Sequence, residues 1–427
     1  MKKVCFVIQR YGLEVNGGAE LQGRLFVEHL KEVLDIEVVT TKAVDYISWA
    51  NEYNNDIDVV NGVTVRRFAN SRERDMDSFA KLCVDFVRQI AGNPEKEENW
   101  LIEQGPVCPD LVDYIHAHKD DYDVFIFSTY LYYTTIHGLK GVERKSILIP
   151  EAHDEAAIHM SLLKDVFQKV GGLLYNTEIE RDMVESLYNV FDTPYAVAGI
   201  GIDEKMAGDA KAGKEKVRLE TAKPKTSELE LTELEKAGLE MTVPEPAGLE
   251  NHNYIVYIGR IDEGKRCHVL FDYFEEYKSR HESGLKLVLM GKEAIEIPNT
   301  DDIISLGFVS DEDKCNVLAG ALALVLPSEF ESLSMVVLEA MKLGVPVLIN
   351  GACDVVRGHC LKSNAGLFYY DYYEFDAALT WLIEHPRERK LMGKNGMRYV
   401  KENYDWNVVV GKILKLVDEV YQASQDE

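Results

Sequence analysis

Short apolar runs recur along the first half of the chain at the spacing of a repeating strand–helix unit. VCFVIQ from Val4, IEVVTT from Ile36, VFIFST from Val124, SILIPEA from Ser146 and GLLYNT from Gly172 lack the alternation of a half-exposed strand. They read as strands buried on both faces. Helical periodicity lies between them: Leu21, Leu25, Phe26, His29 and Leu30 share one face over Ala19 to Lys31, and Leu82, Phe86 and Ile90 share one over Phe79 to Ile90. A second series runs through NYIVYIGRI from Asn253, KLVLMG from Lys286, IISLGF from Ile303, LALVLPS from Leu322 and VPVLIN from Val345. The pattern predicts an α/β protein of two Rossmann-like, doubly wound parallel-sheet domains facing a cleft.

Between the two series, Met206 to Glu250 has no aromatic residue and is rich in Lys, Glu, Thr and Pro. It is too polar for a core and reads as a linker or surface insert, with one amphipathic helix expected at Glu228 to Gly238. The expected partition is a first domain over 1–205, the linker over 206–250, a second domain over 251–405 and a closing helix over 406–427, where WNVVVGKILKLVDEVYQA has helical spacing.

Composition narrows the partners. The 427 residues carry 47 Lys and Arg against 73 Asp and Glu, a formal charge of −26. That sign opposes nucleic-acid binding and strong electrostatic attachment to a membrane. The seven cysteines are scattered and odd in number, as reduced thiols are. Cys353 and Cys360 have no usual zinc spacing, and no metal is expected from them. The N-terminus has no signal-peptide pattern and no apolar run reaches the roughly 18 residues of a membrane span, so a cytoplasmic location is expected.

In an open α/β sheet, ligands bind beyond the carboxyl ends of the strands. VNGGAE, Val15 to Glu20, follows the first strand there; its paired glycines suit either an anion at a helix N-terminus or simply a tight turn. In IGRIDEGKRC, Arg260 and Lys265 suit a diphosphate, or else a solvated basic loop. In LPSEFESLSMVVLEAMKLGVPVL, a buried strand becomes a helix whose N-cap is expected to be Ser334 or Ser332. Glu331 is in the loop and Glu339 is in an apolar helix, where it needs donors if buried. Glu329 is expected to face solvent. STYLYYTT from Ser128 and WLIEQGP from Trp100 suit either stacking on an acceptor sugar or packing beneath a loop.

Glu331 and Glu339 are spaced E-x7-E, and with NGGAE, EAHDE (Glu151 to Glu155), GIGID (Gly199 to Asp203), GRIDEGK, LVLMG and LGFVS in order, the chain resembles retaining GT-B glycosyltransferases of the family 4 type, glycosyl transferases group 1. The resemblance implies a nucleotide-sugar donor, a glycan or lipid-linked glycan acceptor, and commonly bacterial surface polysaccharide synthesis. It assigns Arg260 and Lys265 to the donor diphosphate, Glu339 to the ribose, Glu331 to the donor sugar, and Gly17 and Gly18 to a phosphate-facing loop. His153 would line the donor–acceptor site, and Gly307, Ser334 and Met335 are further donor-binding positions. In such enzymes the closing helix crosses back onto the first domain. Arg260 and Lys265 would stand where another class uses a metal, so no cofactor is expected; the D-x-D pattern at Asp121 to Asp123 precedes its strand. Serines at 332 and 334 replace glycines common in relatives. A sugar phosphorylase of the same fold and a non-catalytic sugar-nucleotide-binding subunit are the competing readings. The base, the sugar and the oligomeric state are left open.

Overall fold

The computed structural model describes residues 1–15, 17–79, 84–202 and 253–425. The Met206 to Glu250 insert and its expected helix lie outside the described residues, as does Cys83. The chain divides into one unit of Met1–Gly201 with Asn403–Glu427 and a second of Ile202–Glu402.

The first unit is built on an eight-stranded sheet. Its strands are β1 (Lys3–Val7), β2 (Asp35–Thr41), β3 (Ile57–Val60), β4 (Val63–Phe68), β5 (Val124–Ser128), β6 (Ser146–Ile149), β7 (Gly172–Tyr175) and β8 (Tyr195–Val197), in the order β3-β4-β2-β1-β5-β6-β7-β8. Val4 lies between Ile36 and Val124 in parallel register. Val4, Phe6 and Val7 are fully buried, which explains the unbroken apolar run. The strand order reverses between β1 and β5, and this switch point brings the loops after both strands to one edge.

One pairing departs from the expected parallel sheet: β3 and β4 form an antiparallel hairpin. Its two-residue turn, Asn61–Gly62, has φ of 48° and 82°. Consecutive positive φ values match the right-handed strand twist, and Asn-Gly tolerates them. The helix expected over Phe79 to Ile90 is described in two parts, Met76–Phe79 and Val84–Ile90.

The C-terminal helix, Trp406–Gln425, belongs to this first unit. Trp406, Val409, Ile413, Leu416, Val417 and Val420 form its buried stripe. Trp406 stacks on His29 at 3.7 Å between ring centroids and meets Phe26 edge-on. A side chain at Gly201 would run into the Trp406 indole, which gives a packing reason for a glycine in GIGID.

Glu97 is a heavily bonded carboxylate of this unit. Its side chain is fully buried on helix Pro94–Gln104. It accepts from the N–H groups of Gly92, Ser161 and Leu162 at 2.6, 2.8 and 2.9 Å and from the Ser161 hydroxyl at 2.7 Å. Burial alone would raise its pKa; these donors, Ser161 foremost, bring it below the usual value.

The second unit carries β9 (Tyr254–Ile258), β10 (Lys286–Met290), β11 (Ile303–Ser305), β12 (Ala323–Leu326), β13 (Val347–Asn350) and β14 (Gly366–Tyr369) in the order β11-β10-β9-β12-β13-β14. Every pairing among them is parallel. Order reverses here between β9 and β12, the two strands that precede GRIDEGK and SEFES.

Candidate active site

The second unit assembles its charged groups at the carboxyl ends of β9, β10, β11 and β12. A cavity of about 300 Å³ is lined there by Gly259, Arg260, Gly291, Gly307, Phe308 and Lys314, among others. Its floor is made by backbone: Gly259 N–H donates to Met290 O at 2.9 Å, and Gly291 N–H donates to Gly307 O at 2.8 Å. Gly291 has φ 142°, and a methyl group there would collide with the Gly259 carbonyl. Gly291→Ala is therefore expected to shift β9 against β10, costing about 1–3 kcal/mol and weakening any ligand of this cavity; thermal unfolding and nucleotide titration check it.

Arg260 opens the loop after β9. Its side chain is 70% exposed, 3.4 Å from the Asp262 carboxylate. Lys265, whose N–H is held by Asp262 Oδ1 at 2.7 Å, extends its Nζ to Glu331 Oε1, also at 2.7 Å. The cation and carboxylate singled out from separate motifs thus form one ion pair. Glu329 is not simply solvated as expected, since it pairs with Arg266. Arg266 is left-handed, φ 58°, directly before helix Cys267–Arg280.

Glu339 lies inside helix Met335–Lys342, 8% exposed. The donor it needs is Lys314, with Nζ 3.2 Å from Glu339 Oε1 and 3.3 Å from Asp311 Oδ1. Burial pushes the Glu339 carboxyl up, and Lys314 works against that rise. Burial opposes the Lys314 charge too, but Glu339 and Asp311 outweigh it and hold this lysine above its usual value. Lys314 lines the cavity, so the Glu339 pair borders the same space as Arg260. Nothing in the sequence flagged Lys314: it lies 25 positions from Glu339, on helix Asp311–Gly320.

Neither serine caps the helix as expected. Ser334 occupies the N-cap position, but φ 63° and ψ 77° turn its side chain away from the first-turn N–H groups. Its buried hydroxyl has no hydrogen-bond partner. Ser332 stands two residues farther out, in the loop. Met335 is the first helical residue.

In the first unit, Gly17 (φ 158°) and Gly18 begin helix Gly18–Leu30 after β1. A side chain on Gly17 would collide with the Glu20 carboxylate, whereas the space over Gly18 is open. Glu20 is buried and accepts from Arg10 Nη2 at 2.6 Å and from Gln9 Nε2 at 2.9 Å. This buried pair, absent from the sequence reading, anchors the Gly17–Gly18 turn.

His153 follows β6 with its ring about half exposed and Nε2 3.7 Å from Glu155. Nearby, Glu151 has φ 55°, and its carboxyl is raised well above the usual value by burial and by Glu20 and Glu180. Glu180 is raised to about 7, chiefly by burial. The aromatic alternatives separate: Trp100 and Tyr130 are core residues, so packing accounts for them.

Residues 243–399 match the model of the family described as glycosyl transferases group 1. The MMP alpha-(1->4)-mannosyltransferase of Mycolicibacterium hassiacum is 29% identical over 126 residues, 29% of this chain and 31% of that one. The matches span only 31% to 40% of the curated relatives' own lengths. Among solved structures, an alpha,alpha-trehalose-phosphate synthase (UDP-forming) from Burkholderia vietnamiensis superimposes with TM-score 0.69 at 13% identity, covering 99% of this chain and 100% of that one. Anabaena HepE, solved in complex with UDP and glucose, gives 0.62 at 15% identity and covers 98% and 100%. Over residues 243–399 the chain is similar to the glycosyl transferases group 1 family, and its two parallel-sheet units are those of the GT-B fold.

Proposed function

We propose that the chain is a retaining, metal-independent glycosyltransferase that moves a sugar from a nucleotide-sugar donor to a glycan or lipid-linked glycan acceptor, in bacterial surface polysaccharide synthesis. The observation that carries this reading is the pairing of Lys265 with Glu331 and of Lys314 with Glu339 at the switch-point edge of the second sheet. The UDP complex of a protein with the same fold lends support to a nucleotide-sugar donor.

Breaking a sugar–phosphate bond builds negative charge on the departing diphosphate and positive charge on the sugar. Arg260 and Lys265 answer the first. An ammonium has three N–H donors, so Lys265 can keep Glu331 and still give two hydrogen bonds to phosphate oxygens. Glu331, oriented by that contact, accepts from donor-sugar hydroxyls, and Glu339 accepts from the ribose. Met335 and Gly307 supply backbone close to the nucleotide. In the first unit, the Gly17–Gly18 turn offers helix N–H groups to an anion, and His153 is assigned to the reacting sugar.

A panel of UDP-, GDP-, ADP- and CDP-sugars, followed for binding and slow hydrolysis, tests the reading. One of them should bind and release free sugar. Binding of sugar phosphates alone would favour a phosphorylase, and binding without turnover in the presence of acceptor would favour a non-catalytic subunit. Glu331→Gln is expected to lower turnover by about tenfold or more while nucleotide affinity changes little. The opposite result would exchange the roles of Glu331 and Glu339.

A further inference from the structure

The loop from β12 to helix Met335–Lys342 carries Glu331, and the following strand–helix unit grips both its ends. Asn350, the last residue of β13, donates from Nδ2 to Pro327 O at 2.9 Å. His359, on helix Asp354–Ser363, places Nε2 3.0 Å from Leu333 O. His359 is 3% exposed, and its Nδ1 lies 3.0 Å from the Tyr399 hydroxyl.

Chemistry decides the proton positions. A carbonyl oxygen only accepts, so Nε2 must carry a hydrogen. Burial, the largest influence, pushes the imidazole down to about 4, against the Leu333 contact and with help from Lys362, so the ring is neutral near pH 7. In a neutral ring Nδ1 is then the acceptor, and Tyr399 donates to it. The two neighbours together select one tautomer.

The Leu333 carbonyl shares a planar peptide with the Ser334 N–H, and in a trans peptide the two point opposite ways. Holding the carbonyl toward His359 therefore directs the Ser334 N–H away from helix Asp354–Ser363. It also supports the left-handed Ser334, which a non-glycine residue adopts only when its surroundings impose it.

We propose that His359 is a positioning residue for the donor site: its Nε2–H, selected by Tyr399, fixes the Leu333–Ser334 peptide and thereby the placement of Glu331 and of the first N–H groups of helix Met335–Lys342. The inference rests on the donor-site reading above and adds a residue outside the E-x7-E pair.

Three substitutions separate positioning from packing. His359→Gln can present an N–H where Nε2 stands; His359→Asn reaches only the Nδ1 position, and His359→Leu keeps bulk without either bond. With whichever donor of the panel the wild-type enzyme hydrolyses, the Asn and Leu variants are expected to lose about tenfold in kcat with little change in UDP or GDP affinity, and the Gln variant to recover most of it. Backbone hydrogen exchange over residues 328–336 should quicken in the Asn and Leu variants and not in the Gln variant. Equal loss in all three, or no loss in any, overturns the proposal. If the wild-type protein neither binds nor hydrolyses any donor, the donor-site reading fails, while the exchange series still decides whether His359 holds the loop.

Discussion

Lys265→Ala is expected to lower turnover at least tenfold, and toward the roughly 10²–10³-fold loss seen when one charge-stabilising donor is removed from a reacting centre. Two effects add. In the proposed mechanism the departing diphosphate loses a cation whose contact strengthens as charge develops. Glu331 also loses the partner that aims it, 2.7 Å away. The lysine side chain is partly exposed and packs into no core, so folding should be unaffected. Arg260→Ala is expected to lower turnover by at least about tenfold for the first reason alone. Steady-state kinetics with thermal unfolding as a control decides both; unchanged turnover in the two variants would remove them from the mechanism.

The largest stability effect is expected at Glu97. Glu97→Ala takes the acceptor away from three partly buried backbone N–H groups and a hydroxyl. A cost of about 3 kcal/mol follows, a fall of roughly 10 °C in Tm for a unit of this size. The pH dependence has a definite sign. The folded-state pKa of Glu97 is depressed, so its stabilisation is fully present above the unfolded value of about 4.3 and is lost as pH falls through the lower folded value. The gap in stability between wild type and Glu97→Ala should therefore be constant near pH 6 to 7 and close on acidification. A gap that widens toward low pH would contradict the assignment.

The strands buried on both faces were legible because their requirement is local: a run such as VCFVI has no polar position to place in water. The hairpin was missed despite Asn61–Gly62, because Ile57–Val60 and Val63–Phe68 mix polar with apolar residues and form no unbroken apolar run. Site legibility divides the same way. Spacing singled out Glu331 and Glu339, whereas in the structure Glu329 finds a cation as they do. What spacing could not supply was the partner of each carboxylate. Lys314 and the Arg10–Glu20 pair are brought in by tertiary packing, which leaves no periodic trace. The capping expectation at Ser334 failed for a related reason: a left-handed backbone, invisible in the residue type, redirects the hydroxyl.

Chain order gives the Trp406–Gln425 helix a further meaning. It covers the sheet of the first unit, yet all of residues 202–402 are synthesised before it. Domains generally fold as units while the chain emerges, those nearer the N-terminus first. Here residues 1–201 leave the ribosome lacking the stripe that Gly172 and Gly201 are shaped to receive. The second unit is contiguous and can finish earlier. The N-terminal sheet stays incomplete until residues 406–425 have emerged, and for that interval its uncovered apolar face is what chaperones would recognise.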